Sequence, residues 1–228
     1  MCSFDSRHCR WAIVVFAFSL CTLTSFEANA QVLWGDSAKY DDGGLNPTVA
    51  ITNVGTVVEL HNGGSGVGPL WYRVGQRSGL TIQWGKSAKY DNGGLNPTVA
   101  VTNDGTVVEV HNGGAGVGPL WYRVGRVSGS IIQWGNSVKY DDGGLNPTVA
   151  SNGVRTIVEV HNGGARVGPL WYRLGQLSGL TIQWGDSAKY DNGGLNPAVG
   201  MNVNGTVIEV HNGGAGTGPL WYRVGRIR

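Results

Sequence analysis

Apolar and polar positions along the chain alternate in short runs, and no stretch of the fifty-residue pattern described below keeps a helical period. Between residues 81 and 130 four runs read as strands, Thr81 to Gly85, Thr98 to Thr102, Thr106 to His111 and Leu120 to Gly125. They are rich in Val, Thr, Ile, Trp and Tyr, residues that fill a pleated, half-buried surface well. Between them lie Asp91-Asn92-Gly93-Gly94, Asn103-Asp104-Gly105 and the segment from His111 through Pro119. These read as loops, because Gly and Asn accept positive φ and Asx side chains bond their own backbone.

The same run of strands recurs. Trp34, Trp84, Trp134 and Trp184 are each fifty residues apart, and so are Trp71, Trp121, Trp171 and Trp221, each of which opens a Trp-Tyr-Arg triplet. The repeats are therefore set at about 31–80, 81–130, 131–180 and 181–228. Four strands in about fifty residues match one blade of a β-propeller, so the predicted fold is all-β, a four-bladed β-propeller of four-stranded repeats. Pro97-Thr98-Val99-Ala100 is small and uncharged, as an innermost strand beside a central channel must be. If the Trp-Gly strand is outermost, each one completes the preceding repeat. The N-terminal strand Val32-Leu33-Trp34 would then complete the last and close the ring, removing the free sheet edge. A larger ring shared between chains is the alternative, so a monomer or a small homo-oligomer is expected.

Residues 1–30 stand outside this pattern. Arg7 and Arg10 precede an apolar run from Trp11 to about Phe26, and Ala28-Asn29-Ala30 places small residues at −3 and −1. The order predicts a signal peptide over 1–30, a mature start at Gln31, and a secreted, extracellular or periplasmic protein with no transmembrane span in the mature part. Cys2, Cys9 and Cys21 all fall in this segment, so the repeats have no cysteine for disulfides, thiolate metal sites or nucleophilic attack. After Ala30 there are fifteen Lys and Arg against nine Asp and four Glu, a net of +2 with no basic block, which argues against a nucleic-acid partner.

The motif Tyr-Asp-x-Gly-x-x-Asn-Pro-x-Val-Ala, Val-Val-Glu-Val-His, Leu-Trp-Tyr-Arg-Val-Gly resembles a tandem repeat of secreted bacterial and fungal β-propeller proteins, and its blades are similar in outline to those of tectonin-like propeller lectins. In that family the repeat stands alone or follows a catalytic domain such as a phosphatidylinositol-specific phospholipase C, and no such appended activity is expected here. The resemblance covers essentially all of 31–228 and implies a propeller with sugar-binding capacity. The third copy departs most, with Ser151-Asn152-Gly153-Val154-Arg155 at the turn and Arg166 in place of Gly. The fourth carries Ala198, Gly200 and Met201 on its inner strand.

Candidate ligand-binding residues come in four equal sets. Asp41, Asp91, Asp141 and Asp191, with Asn46, Asn96, Asn146 and Asn196, offer acceptors and amide donors for sugar hydroxyls, against a structural role in turns. Trp34, Trp84, Trp134 and Trp184 offer apolar faces for a pyranose ring, against packing between blades. His61, His111, His161 and His211 share a strand face with Glu59, Glu109, Glu159 and Glu209. Those glutamates are expected to pair with the arginine of the next strand, Glu59 with Arg73, while the histidine caps its loop.

No cofactor or metal is expected. Each loop has one or two carboxylates, the second replaced by Asn92 and Asn192, and outer-strand histidines do not converge. Equal copies suit a multivalent binder better than an enzyme, whose centre needs one asymmetric constellation. The expected function is a non-enzymatic, secreted, multivalent carbohydrate-binding protein acting on glycans or a glycosylated surface. The second expectation is a structural or adhesive scaffold that binds a protein partner.

Overall fold

The computed structural model describes residues 31–228, and the signal segment expected over 1–30 lies outside them. Strands β1 (Leu45–Ile51), β2 (Thr56–Asn62) and β3 (Gly68–Ser78) form the first repeat. The second and third add β4 (Thr81–Trp84), β5 (Ala88–Val101), β6 (Thr106–Asn112), β7 (Gly118–Ser128), β8 (Ile131–Trp134), β9 (Val138–Ser151), β10 (Thr156–Asn162) and β11 (Gly168–Ser178). The fourth comprises β12 (Thr181–Trp184), β13 (Ala188–Met201), β14 (Thr206–Asn212) and β15 (Leu220–Arg226). All pairings are antiparallel, and the chain is all-β with four-stranded repeats of about fifty residues.

The phase between sequence repeat and sheet follows from the long strands. The first half of β9 pairs with β7 of the preceding repeat, Leu120 opposite Asp141 and Tyr122 opposite Val138. Its second half pairs with β10, Ala150 opposite Val158. The short β8 lies on β7 as well, Gly125 opposite Trp134. Each Trp-Gly strand thus completes the sheet before it, as its position predicts. The Asp-Asx-Gly-Gly segments, expected to be loops, instead run inside β5, β9 and β13. They remain in the ladder through register irregularities, for example between Leu120 and Trp121, which absorb the extra residues.

The pivot between the two halves of each long strand is an asparagine. Asn46, Asn96, Asn146 and Asn196 sit at φ of 50 to 52°, the left-handed region that Asn tolerates better than other side chains. Each lies between the two pairing registers, Leu95 opposite Asn112 and Thr98 opposite Val110 in the second repeat.

The core lies between consecutive repeats. Val108, Val110, Leu120, Tyr122 and Val124 of the second repeat pack with Tyr140, Val149, Ile157 and Ile182 of the following two. Val58, Leu60, Leu70 and Tyr72 meet Tyr90, Val99, Val107 and Ile132 in the same way. The glycines that precede each pivot make the approach close. A Cβ at Gly144 would stand 2.5 Å from Leu120 Cδ1 and 2.8 Å from His161 Cδ2.

The closing strand expected at Val32-Leu33-Trp34 is not formed. The sheet path runs open from β1 to β15, and residues 31–44 carry no strand. Val32, Leu33 and Trp34 are exposed, and so are Leu220, Trp221, Tyr222 and Val224 on β15. The physical reason is that each packed joint fixes its own turn between repeats, and ring closure depends on the sum of those turns, which strand patterning does not encode.

Candidate functional site

The aspartates stand first in each Asp-Asx-Gly-Gly segment. Asp41 Oδ1 accepts from the backbone N–H of Asp42, and Asp91 Oδ1 from those of Asn92 and Gly93, the local bonding expected of Asx before Gly. The other oxygen takes an arginine: Arg73 Nε donates to Asp41 at 2.9 Å, and Arg123, Arg173 and Arg223 to Asp91, Asp141 and Asp191 at 3.0, 3.1 and 2.9 Å. Burial raises the Asp91 pKa, but the Gly93 amide and Arg123 outweigh it and hold the carboxyl below its ordinary range; Asp41 and Asp141 behave alike.

The glutamates do not take those arginines, which corrects the pairing expected from sequence. Glu59 and Arg73 do lie directly opposite in the ladder. The arginine nevertheless reaches outward to Asp41, and Glu59 meets His61 Nδ1 at 3.0 Å along its own strand face. Glu109 and His111 stand 2.8 Å apart, and Glu159 and Glu209 meet His161 and His211 at 3.1 Å. All four pairs are buried. Tyr40 donates to Glu59 at 3.3 Å, and the carboxylates beside the buried Tyr90 and Tyr140 and the half-buried Tyr190 add to desolvation in raising those phenols. Burial works against a charged His111, yet the Glu109 carboxylate prevails and lifts its pKa. The histidine therefore does not act as a loop cap. Its ring edge packs under the glycine of the pivot segment, Gly94 for His111.

The tryptophans separate into one and three. Trp34 is 82% exposed, whereas Trp84, Trp134 and Trp184 wedge between repeats. Trp134 stacks on Tyr90 at 4.9 Å and meets Tyr72 edge-on, and Trp184 repeats this with Tyr140 and Tyr122. Their faces are spent on packing, so the apolar platform expected of the whole set is left to Trp34.

Only the asparagines converge. Asn46 Nδ2 donates to Asn96 Oδ1 at 2.6 Å, Asn96 to Asn146 at 2.8 Å, and Asn146 to Asn196 at 2.7 Å. This amide ladder, with the adjoining Pro47, Pro97, Pro147 and Pro197, lines one cavity of about 450 Å³ to which all four repeats contribute. The backbone N–H of Asn96, Asn146 and Asn196 is held by the side-chain oxygen of Asn62, Asn112 and Asn162. Thr98 and Thr148 hydroxyls bridge to the Pro147 and Pro197 carbonyls. Sequence reading missed the Asn62 set, although an Asn recurring at the end of each apolar strand, directly after the histidine, is the signal that marks it.

No protein-family model matches the sequence, and no curated protein does. Among solved structures, the chain is similar to a Hadza microbial sialidase, Hz136, at 13% sequence identity and a TM-score of 0.54. The match covers 79% of this chain and 44% of that one, so this chain spans less than half of the structure it resembles. At that identity the likeness is one of fold: an all-β chain of four-stranded repeats whose sheet arrangement is also found in that sialidase.

Proposed function

We propose that this chain is a secreted carbohydrate-binding protein, a propeller in which each repeat is one blade and the asparagine ladder is the ligand-facing surface. One observation carries the reading: four identical Asn-Pro units line a single uncharged cavity. Each interior amide spends one N–H and one carbonyl lone pair on the ladder, and keeps a second of each. The surplus donors and acceptors alternate at fixed spacing, a pattern suited to vicinal hydroxyls, and the proline rings supply apolar surface for C–H contacts. The ionisable candidates, in contrast, are bound to one another in Glu–His and Asp–Arg pairs. Equal contributions from four repeats favour a ligand that is itself repetitive, and several weak equal contacts add through avidity.

The test is a broad glycan array with the full chain, followed by titration calorimetry on any hit. Asn96→Gly combined with Asn146→Gly keeps the positive φ while removing both interior amides and with them all three hydrogen bonds of the ladder. Binding weakened about tenfold or more by that pair, with the fold intact by circular dichroism, supports the reading, since each lost polar contact is worth about 1 kcal/mol. An array without hits, or binding indifferent to the two substitutions, overturns it.

A further inference from the structure

The two ends of the repeat array are unfilled halves of the joint that the interior makes three times. Between repeats, Leu70, Leu120 and Leu170 are fully buried, each against the glycine of the next pivot segment: Gly94, Gly144 and Gly194. Leu220 stands in the same register of β15 and is 78% exposed. The matching glycine at the other end, Gly44, has His61 beneath it as its counterparts have their histidines. Where a leucine would lie there is instead a cavity of about 300 Å³, lined by Ala38 to Gly44, Pro47 and His61.

A second socket matches a second plug. A mostly apolar cavity of about 440 Å³ is lined by Tyr172, Leu174, Tyr190, Val224 and Gly225. Fifty residues earlier the corresponding Tyr122, Tyr140 and Gly175 are covered by Ile182 and Trp184. The residues of that strand in the first repeat are Val32 and Trp34, both exposed. Hydrogen bonds stop at the same places. Arg73, Arg123 and Arg173 donate through Nη1 to the carbonyls of Gly85, Gly135 and Gly185, while among the described residues Arg223 bonds Asp191 only. Tyr72 and Tyr122 hydroxyls accept from Ile132 and Ile182 N–H, and Tyr172 has no such donor among the described residues.

We infer that a second copy of this chain fills both sockets, head to tail, so that two chains build one ring of eight repeats. Leu220 of each copy enters the Gly44–His61 cavity of the other. Trp34 of each enters the Tyr172–Tyr190 cavity of the other, and Gly35 offers its carbonyl to Arg223. The interior register fixes the pairing: Trp71, Trp121 and Trp171 face Lys89, Lys139 and Lys189, so Trp221 faces Lys39 of the second copy. The amide ladder continues as well, Asn196 donating to Asn46. A second copy is favoured because its joint repeats the contacts of the three existing ones, while the sheet path of the single chain stays open from β1 to β15. A heterologous contact of this kind closes when its rotation fits a ring. Given the propeller reading, two copies are the number above one that keeps the ring within four to eight blades.

The experiment reads mass rather than ligand, so it stands apart from the glycan test. Light scattering on the full chain is expected to give twice the chain mass, and Leu220→Arg to give a monomer with unchanged circular dichroism. Each joint should weaken by about 30-fold or more. With Cys2, Cys9 and Cys21 replaced by serine, Lys39→Cys with Trp221→Cys should oxidise to a covalent dimer on a non-reducing gel, because directly opposed strand residues fall within disulfide reach. A monomeric wild type, a disulfide closed within one chain, an assembly larger than two, or a dimer unaffected by Leu220→Arg overturns the inference.

Discussion

The interior joints and the outer ends of this chain are made from the same residues and differ in what covers them. Leu120 is fully buried between the second and third repeats, and Leu220, with the same neighbours in sequence, is 78% exposed. Tyr122 is sealed by Trp184, and Tyr222 is open. Stability in such an array resides in contacts between repeats, because one four-stranded sheet cannot bury its own faces. An end is therefore weaker than the interior even where its sequence is identical.

The largest effect should come from breaking that parallel directly. Leu120→Ala is expected to cost about 2–5 kcal/mol of unfolding free energy, the usual result of emptying a packed leucine site. Leu220→Ala should cost under about 0.5 kcal/mol in the monomer, as substitutions at exposed positions do. Urea unfolding measured at concentrations below any self-association gives both numbers, and equal losses would contradict the contrast. A smaller difference should separate the glycines. Gly144→Ala places a methyl against Leu120 and His161 and should destabilise by about 1–3 kcal/mol, whereas Gly43→Ala, with open space around it, should be near neutral in thermal melts.

Acid titration sharpens the comparison further. Asp91 and Asp141 have lowered pKa values in the fold, so their contribution is present above the unfolded value of about 3.9 and is lost as pH falls through the depressed folded values. His111 and His161 have raised values, so theirs is full below about 6.5 and fades as pH rises through the folded values. Urea midpoints across pH 2 to 9 should therefore fall at both limits, and Asp91→Asn should flatten the acid limb. The smallest effect belongs to Asp104, whose counterpart is Val54, Val154 or Asn204 in the other repeats. Bonds from Thr102 and the Thr106 amide hold its carboxyl down to about 2. Asp104→Asn should remove a minor loss of stability between about pH 4 and 2, read from the same midpoints.

Much of this arrangement is legible in the sequence. The step of fifty and the Trp-Gly strand completing the preceding sheet both follow from where Trp and Gly recur. The asparagine before proline was marked by its residue type. What escaped was set by directions rather than by spacing. Glu59 and Arg73 oppose one another in the ladder, so pairing them is natural, but only side-chain geometry shows that Asp41 draws the arginine away. The Asp-Asx-Gly-Gly segments carry turn chemistry and stay in a strand, because register irregularities let the ladder pass through them. The tryptophan faces were lost to packing for a similar reason: an outermost strand of one sheet still lies against the tyrosines of its neighbour.

The continuous strand that serves two sheets has a consequence for the order of assembly. Ile131 follows the end of β7 by three residues, so the second sheet can be sealed soon after those residues leave the ribosome. The strand that completes the seal, β9, runs on without a break into the first position of the third sheet. Finishing one repeat therefore lays the foundation of the next, and synthesis from the N-terminus would proceed as a relay in which the interior joints wait only for the next residues of the same chain.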